Sequence, residues 1–396
     1  MSNEGFIRVC PVAERCGACQ NINVPYAEQL AAKDAYVKEL FSGIVDASAI
    51  QPILGMDDPY HYRNKVASPF APKKGRRNAK GKKCDILTGM YAPHSHQLVD
   101  TCGCLVENKA ANQVVQAIRS IMLKHGMQPY DEDTGQGFSR HTVIRVGHAS
   151  EEMLVTIVTN GEEFPSSKAF CRELVKRCPA ITTVVQNVNT SSTNVILGQQ
   201  ERTLYGPGFI LDTLCGLSFR ISSQSFYQVN AVQTEVLYET AMTFAKLQAA
   251  HTVIDAYCGT GTIGLVAAKR SGAQVVGVDS VESAIADARQ NARHNGIENA
   301  QFIVADATQF MREQAAVGGK ADLLFMDPPR AGSTPEFLDA LAMLAPSRVV
   351  YISCNPQTQV RDLAYLTQRG YALDAVQPVD MFPHTKHVET VAMLRR

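Results

Sequence analysis

The sequence of 396 residues lacks any apolar run long enough to cross a lipid bilayer, and its first residues lack the pattern of a secretory signal peptide. These two absences predict a cytoplasmic protein with no membrane partner. The chain also lacks an excess of either charge, because Lys plus Arg and Asp plus Glu both number 38. Overall charge therefore gives no argument for a nucleic-acid partner. The length predicts two or three domains rather than one.

The cations are nevertheless unevenly distributed. Residues 73–83 (KKGRRNAKGKK) form a basic arm that closely follows the aromatic residues of 60–65 (YHYRNK). Most such charge runs are solvated loops. A basic arm beside aromatic side chains is also the kind of element that follows an RNA phosphate backbone.

Eleven cysteines in a cytoplasmic chain are more often free thiols or metal ligands than disulfides. Cys10, Cys16 and Cys19 lie close together, and a fourth thiol is available from Cys102 or Cys104. Four thiolates suit either zinc or a four-iron cluster. The spacing departs from that of zinc knuckles and from that of the radical enzymes. Packed or idle cysteines are the alternative, and we favour a metal site over it.

Hydrophobic periodicity divides the chain into three parts, at 1–110, 111–224 and 225–396. The first part contains the cysteines, a helix at 25–41 and the basic arm. The second is predicted to be α+β, with helices at 111–125 and 166–178 and strands at 142–146, 153–158, 181–188 and 193–197. The third begins with a helix at 231–246 and continues with strand–helix units whose strands are 252–255, 274–279, 301–305, 321–327 and 348–352. Repeated units of this kind predict a parallel sheet with helices on both faces.

A glycine-rich turn at 255–264 (DAYCGTGTIG) follows the first strand of this third part. Gly259, Gly261 and Gly264 fit the pattern G-x-G-x-x-G, and Asp279 follows about 20 residues later. The pattern indicates a ligand that contains adenosine. Taken alone, it leaves both NAD and S-adenosylmethionine open.

Four acids fall at or just after the carboxyl ends of successive predicted strands: Asp255, Asp279, Asp306 and Asp327. A single acid of this kind is often a helix cap, but four in succession indicate a shared pocket at the edge where parallel sheets bind ligands. Asp279 could hold ribose hydroxyls, and Asp306 could face the adenine amine. The rigid Asp-Pro-Pro turn at 327–329 favours methyl transfer over hydride transfer.

Cys354 follows the fifth predicted strand, and Glu389 lies in an alternating run near the end of the sequence. A methyltransferase needs a thiol when the acceptor is C5 of uracil, because that carbon is a poor nucleophile until something adds to C6. It then needs a base to remove the C5 hydrogen. The alternatives are strand-end packing for Cys354 and a solvated surface position for Glu389.

These motifs together resemble the S-adenosylmethionine-dependent RNA (uracil-5-)-methyltransferase family, and most closely its group that modifies 23S ribosomal RNA. The resemblance includes the N-terminal cysteines and covers most of the chain after Ser225. It is carried by residues 186–190 (QNVNT), 193–198 (TNVILG), 225–230 (SFYQVN), 255–264 (DAYCGTGTIG), 327–330 (DPPR), 353–356 (SCNP) and 382–389 (FPHTKHVE).

The resemblance implies an α/β fold: a Rossmann-like, doubly wound methyltransferase domain with an N-terminal Fe-S segment and a central α+β RNA-binding domain. It implies transfer of a methyl group to C5 of a uridine in 23S rRNA, giving 5-methyluridine, with Cys354 as nucleophile and Glu389 as base. Six residues would contact S-adenosyl-L-methionine: Gln228, Tyr257, Thr262, Asp279, Asp306 and Asp327. A [4Fe-4S] cluster would be held by Cys10, Cys16, Cys19 and Cys104.

Two departures from the family pattern stand out. Thr262 occupies a position where many relatives have Asn, and only nine residues precede Cys10, where many relatives have a small RNA-binding TRAM barrel. We expect this barrel to be lacking. The alternatives are a transfer-RNA uridine methyltransferase with the same chemistry, an NAD-dependent oxidoreductase, and a non-catalytic RNA-binding protein with a cluster. No obligate protein partner is inferred.

Overall fold

The computed structural model describes residues 8–73 and 85–396. Apart from Lys73, the predicted basic arm lies outside the described residues. No helix in the described part of the chain is long and apolar enough to cross a membrane. The chain divides into two compact units: Met1–Asn23, Pro59–Thr213 and Arg220–Gln224 form the first, and Val24–Asp58, Leu214–Phe219 and Ser225–Arg396 form the second.

The described residues form helices and strands in a mixed order. The helices are α1 (Tyr26–Phe41), α2 (Lys109–His125), α3 (Ser167–Arg177), α4 (Ala231–Ala245), α5 (Thr262–Ser271), α6 (Glu282–His294), α7 (Ala307–Ala316), α8 (Pro335–Leu344) and α9 (Pro356–Thr367). The first nine strands are β1 (Lys65–Pro72), β2 (Ile86–Tyr91), β3 (Leu98–Asp100), β4 (Ser139–Val146), β5 (Met153–Thr159), β6 (Ile181–Val188), β7 (Gln200–Tyr205), β8 (Ile210–Leu214) and β9 (Leu217–Ile221). The remaining strands are β10 (Thr252–Ala256), β11 (Gln274–Asp279), β12 (Ala300–Val304), β13 (Leu323–Met326), β14 (Arg348–Ser353), β15 (Ala372–Val379) and β16 (Glu389–Arg395).

The first unit is built on a seven-stranded sheet in the order β3-β2-β1-β4-β5-β6-β7, and only β5 and β6 pair in parallel. Helices α2 and α3 contribute apolar side chains to its core, including Ile118 and Leu174. Helix α2 begins where the Asn108 side chain accepts bonds from two backbone amides, and it ends at Gly126 in the left-handed conformation. The predicted α+β character of this region is present.

The strand predicted at 193–197 is wrong. These residues pair with no described strand, because the Asn189 side chain donates to the carbonyl oxygens of Val195 (2.7 Å) and Ile196 (3.0 Å) and so satisfies the backbone locally. The strand that pairs with β6 on the side away from β5 is β7. The sequence pattern did not reveal β7 because most of its side chains are exposed. Strands β1 to β3 were not predicted either.

The second unit contains the predicted parallel sheet, in the order β12-β11-β10-β13-β14-β16-β15. Strands β10 to β14 pair in parallel, whereas β16 is antiparallel to both β14 and β15. The order reverses at β10, which has β11 on one side and β13 on the other. In doubly wound sheets the ligand binds at this switch point, outside the carboxyl ends of the strands.

Helix α1 belongs to the second unit, although it precedes the first sheet in the sequence. Its residues Val37 and Phe41 are buried in the core of the second unit. Lys33 forms a buried ion pair with Asp380, with a Nζ–Oδ1 distance of 2.6 Å. The division at 110 and 224 remains a prediction.

Candidate active site

The glycine-rich turn leaves β10 through several left-handed residues. Tyr257 has φ 62°, Gly259 has φ 54° and Gly261 has φ 79°. A Cβ atom at Gly259 would meet no described atom within 4 Å, so the backbone there faces open space. A Cβ atom at Gly261 would instead lie 2.7 Å from the Phe302 ring. The first glycine thus leaves room for a ligand, and the second permits close packing.

The third glycine of the turn brings helix α5 onto strand β10. The Gly264 amide donates to Asp255 Oδ2 at 2.9 Å, and a Cβ atom on Gly264 would lie 2.7 Å from that oxygen. Asp255 is 1% exposed, and burial raises the pKa of its carboxyl to about 7. The Gly264 amide lowers this pKa, while Asp327 and Asp279 raise it.

Asp279 ends β11 and faces the same turn. Its two oxygens accept from the backbone amides of Gly259 and Val281, both at 2.9 Å. A carboxylate has further lone pairs for the hydroxyls of a ribose. Asp279 therefore shapes the turn, and its role in donor binding stays a prediction.

Asp306 follows β12 and is a helix cap, because its Oδ1 accepts from the Gln309 amide at 2.9 Å. Thr262 begins α5, and its hydroxyl lies 2.8 Å from the hydroxyl of Tyr238, a buried partner that sequence reasoning missed. Gln228 is half-buried in the segment before α4. The donor contacts predicted for these three residues remain predictions.

Strand pairing explains how Cys354 and Glu389 come together. Strands β14 and β16 are antiparallel, and Ser353 is the partner of Thr390. One further step along this register puts Cys354 opposite Glu389, at the same edge of the sheet as the glycine turn. The pairing of β14 with β16 thus brings together two residues that are 35 positions apart in sequence (389 − 354).

The two residues share an electrostatic environment. Burial raises the pKa of Glu389, which is 4% exposed, to about 8; Asp327 raises it further and Arg330 lowers it. Burial also raises the pKa of the Cys354 thiol, with smaller contributions from Glu389 and Asp327. A hydrogen bond from Arg330 lowers the Cys354 pKa. Burial raises the pKa of Asp327 itself to about 7.

Arg330 is a neighbour of Cys354 and Glu389 that the sequence pattern did not single out. The motif at 327–330 was noted for its acid and its prolines, and the arginine received no role. In the structure, the Arg330 carbonyl accepts from the Asn355 side chain (3.0 Å) and the Thr358 hydroxyl (3.3 Å). These bonds tie the turn after β13 to the start of α9, next to Cys354.

In the first unit, Cys10, Cys16, Cys19 and Cys104 line one small cavity of about 50 Å³. Burial raises the pKa of Cys19 to about 12, and Cys104, Cys16 and Cys10 each raise it further, so the thiols are near neighbours. Cys102 lines the same cavity but is exposed. Within residues 8–73 and 85–396, however, no group of three or more His, Cys, Asp or Glu side chains is arranged to hold a metal ion.

Buried amides fix the segment that carries the fourth cysteine. Asn112 accepts from the Gly103 amide at 3.2 Å and donates to the Thr101 carbonyl at 3.2 Å and to Glu107 at 2.8 Å. The sequence did not predict this role of Asn112, because the residue lies within a predicted helix and belongs to no motif.

The sheet edge of the second unit is rich in carboxyl groups. Asp255, Asp279 and Asp327 all lie at this edge, and Asp327 and Asp279 both raise the pKa of Asp255. Such an edge favours a cationic ligand such as a sulfonium and disfavours a pyrophosphate, which is doubly negative. The site therefore suits S-adenosylmethionine better than NAD.

Comparisons with known proteins agree with this chemistry. The family model described as tRNA (uracil-5-)-methyltransferase matches residues 215–396. An uncharacterized RNA methyltransferase of Halalkalibacterium halodurans is 41% identical over 387 residues, which are 97% of this chain and 82% of that protein. One of Listeria monocytogenes is 41% identical over 386 residues, 97% of this chain and 83% of that protein.

The chain belongs to the S-adenosylmethionine-dependent uracil-5 RNA methyltransferase family. The crystal structure of a Pyrococcus abyssi tRNA (uracil-54, C5)-methyltransferase, in complex with S-adenosyl-L-homocysteine, is similar with a TM-score of 0.77 and 28% identity. The match covers 98% of this chain and 88% of that one. As a uracil-5 RNA methyltransferase, this protein uses S-adenosylmethionine as methyl donor and RNA as substrate. The prediction of the family is confirmed.

Proposed function

We propose that this uracil-5 RNA methyltransferase acts on 23S ribosomal RNA, with Cys354 as the covalent nucleophile and Glu389 as the base. The observation that carries the proposal is the pairing of β14 with β16, which brings these two residues to the sheet edge beside Asp327 and Arg330.

The first half of the reaction belongs to Cys354. The target uridine must first leave its stack, because C6 is inaccessible to a thiolate in a stacked base. Arg330 stabilises the thiolate by a charge-assisted hydrogen bond. The sulfur then forms a bond to C6, and the electron pair of the C5–C6 double bond moves into an enolate. S-adenosylmethionine supplies the methyl group that C5 receives.

The second half belongs to Glu389. Its carboxylate removes the hydrogen from C5, the released electron pair restores the C5–C6 double bond, and the Cys354 thiolate departs. A base is most effective when its pKa lies near the working pH, and the pKa of Glu389 is raised to about 8. The products are 5-methyluridine, S-adenosylhomocysteine, the protonated Glu389 carboxyl and the restored Cys354 thiolate.

The choice of RNA rests on the resemblance to the 23S group and on the four N-terminal cysteines, which the family's tRNA enzyme often lacks. Transfer RNA is the second candidate, because the similar structure from Pyrococcus abyssi is a tRNA (uracil-54, C5)-methyltransferase.

We further propose that Cys10, Cys16, Cys19 and Cys104 hold a [4Fe-4S] cluster with a structural role. The support is that these thiols line one cavity and that thiolates are the ligands of such clusters. The side chains would have to turn towards a common centre, since they do not form a metal site as they stand.

Nucleoside mass spectrometry tests the substrate. The 23S rRNA and the tRNA of a deletion strain should be compared after complementation with the unchanged gene or with Cys354→Ala. We expect 5-methyluridine to disappear from 23S rRNA and to return only with the unchanged gene. Loss of 5-methyluridine from tRNA alone would contradict the 23S assignment.

A further inference from the structure

A cavity lies in the first unit, and its lining residues are far in sequence from the residues of the methyl-transfer site. It encloses about 520 Å³, which is within the range of small-molecule sites. Strands β1, β2 and β3 and residues 130–133 line it, together with Arg140 and His141 of β4. Nothing in the proposed reaction uses this cavity.

Aromatic rings form part of its lining. Tyr91 and Tyr130 are both half-buried there, and the Tyr91 ring contacts the His96 ring with a centroid distance of 6.1 Å. The Arg140 guanidinium lies 4.4 Å from the centre of the Tyr130 ring. Half-exposed aromatic rings in a concave site are the surfaces on which unpaired nucleobases stack.

The cavity also contains buried polar atoms without a partner among the described residues. Arg140 is 7% exposed, and its Nε atom has no such partner. The same holds for Nδ1 of His141, whose pKa is lowered to about 4 by burial and by Arg140, so the imidazole is neutral. Both atoms are shielded from solvent, so they lie in the wall of the cavity and add no hydrogen-bonding group to its surface.

The charges of the lining indicate which ligand chemistry fits. The carboxylates of Asp131, Glu132 and Asp133 outnumber the cations Lys73 and Arg140 among the described lining residues. Such a site disfavours a phosphate group in its interior. It favours a neutral planar group that presents N–H donors, as a nucleobase with an exocyclic amino group does.

Arg140 connects the cavity to an exposed loop. Its Nη1 atom donates to the carbonyl oxygens of Asn189 (2.8 Å) and Ser191 (2.7 Å). The loop they begin is anchored by the buried Asn189 side chain and leaves Val195 62% exposed. An exposed loop fixed beside a polar cavity is suited to a flexible, single-stranded ligand rather than to a free metabolite.

We propose that this cavity binds an unpaired, amino-bearing nucleobase of the RNA substrate, other than the uridine that is methylated. The inference rests on the proposed function, because it assigns a second contact to the same RNA. The base stacks on Tyr130, and its amino group donates to the carboxylates of the lining. The cavity thereby adds affinity and selects the RNA sequence around the target.

The test compares Tyr130→Leu with Tyr130→Phe, which keeps the ring, and with Tyr205→Leu, which alters an exposed tyrosine of β7 outside the cavity. Affinity for an unmodified 23S rRNA transcript is measured by filter binding. Because Tyr130→Leu removes the ring on which the base stacks, it should weaken RNA binding about 5- to 150-fold. Tyr130→Phe and Tyr205→Leu should bind like the unchanged protein, and single-turnover methyl transfer at saturating RNA should be unaltered in Tyr205→Leu.

Equal affinities for Tyr130→Leu and Tyr205→Leu would overturn the inference. If Tyr130→Leu does not fold, the alternative test is ultraviolet cross-linking of the unchanged protein to the same transcript, with the cross-linked residues identified by mass spectrometry. It should attach a nucleotide to Tyr91 or Tyr130, and its absence from both would also count against the cavity. Failure of the proposed function would look different, since the unchanged protein would then transfer no methyl group to this RNA.

Discussion

Burial raises the pKa of Glu389 to about 8, and the neighbouring carboxyl group of Asp327 contributes to this shift. In the free protein near neutral pH, most Glu389 side chains are therefore protonated. The pKa of the Cys354 thiol is raised as well, so its reactive thiolate is also the minor form. Because both residues react in their deprotonated forms, the rate should increase as the pH rises through about 8.

Arg330 opposes both shifts, since it lowers the pKa of Cys354 and of Glu389. We expect Arg330→Gln to raise both pKa values and to move the pH–rate profile towards higher pH. At neutral pH, single-turnover methyl transfer should fall by about tenfold, a modest figure because water screens the exposed arginine. Higher pH should recover part of the loss.

The matched control is Arg395→Gln, which removes an exposed arginine of β16 that pairs with Asp374 at 2.9 Å, at the other end of the strand. Its pH–rate profile should match that of the unchanged protein. If Arg330→Gln and Arg395→Gln gave the same profile, Arg330 would have no part in the chemistry.

At the scale of elements, helix α1 holds the turn that leads into β16. Besides the ion pair of Lys33 with Asp380, Gln29 accepts from the His384 amide at 3.0 Å and contacts the His384 ring at 3.1 Å. His384 itself has φ 68°, a conformation that a non-glycine residue keeps only when its surroundings fix it. These contacts determine where β16 begins, and Glu389 is its first residue.

The cysteine segments of the first unit allow an element-scale test of the cluster. Cys104 and Cys102 lie in one short segment, held by Asn112, but only Cys104 is a proposed ligand. If the cluster assignment is right, protein prepared without oxygen should contain about four iron ions and four sulfide ions per chain. Cys104→Ser should lose both, whereas the matched variant Cys102→Ser should retain them. Zinc in place of iron, or equal losses in the two variants, would contradict the assignment.

For the molecule as a whole, the sequence predicted what depends on local pattern. The parallel strands were visible as apolar runs, and the carboxyl ends where Asp255, Asp279 and Asp327 lie followed from their connectivity. The fit of Gly264 to the glycine pattern was visible in the sequence, whereas its close contact with Asp255 is seen only in the structure.

What the sequence could not show depends on contacts between distant segments. Lys33 and Asp380 are 347 positions apart, so the membership of α1 in the second unit had no local signal. Strand β7 was missed because its exposed side chains lack the alternation of a half-buried strand. Arg330 was missed because its effect on the pKa values of Cys354 and Glu389 depends on spatial proximity, which the local sequence does not show.

The proposed mechanism requires Cys354 and Glu389 to act one after the other on the same uridine. Glu389→Gln keeps the size of the buried side chain but cannot remove the C5 hydrogen, so release of the product should slow by about 10²–10⁴-fold. Cys354→Ala cannot form the bond to C6, so it should give no 5-methyluridine and no adduct. The two variants should therefore fail in different ways.

Denaturing gel electrophoresis of each variant with labelled RNA and S-adenosylmethionine is the most direct measurement. We expect Glu389→Gln to accumulate a methylated protein–RNA adduct that survives denaturation. The double variant Cys354→Ala/Glu389→Gln should show no such band. Normal turnover by Glu389→Gln, or formation of 5-methyluridine by Cys354→Ala, would contradict the mechanism.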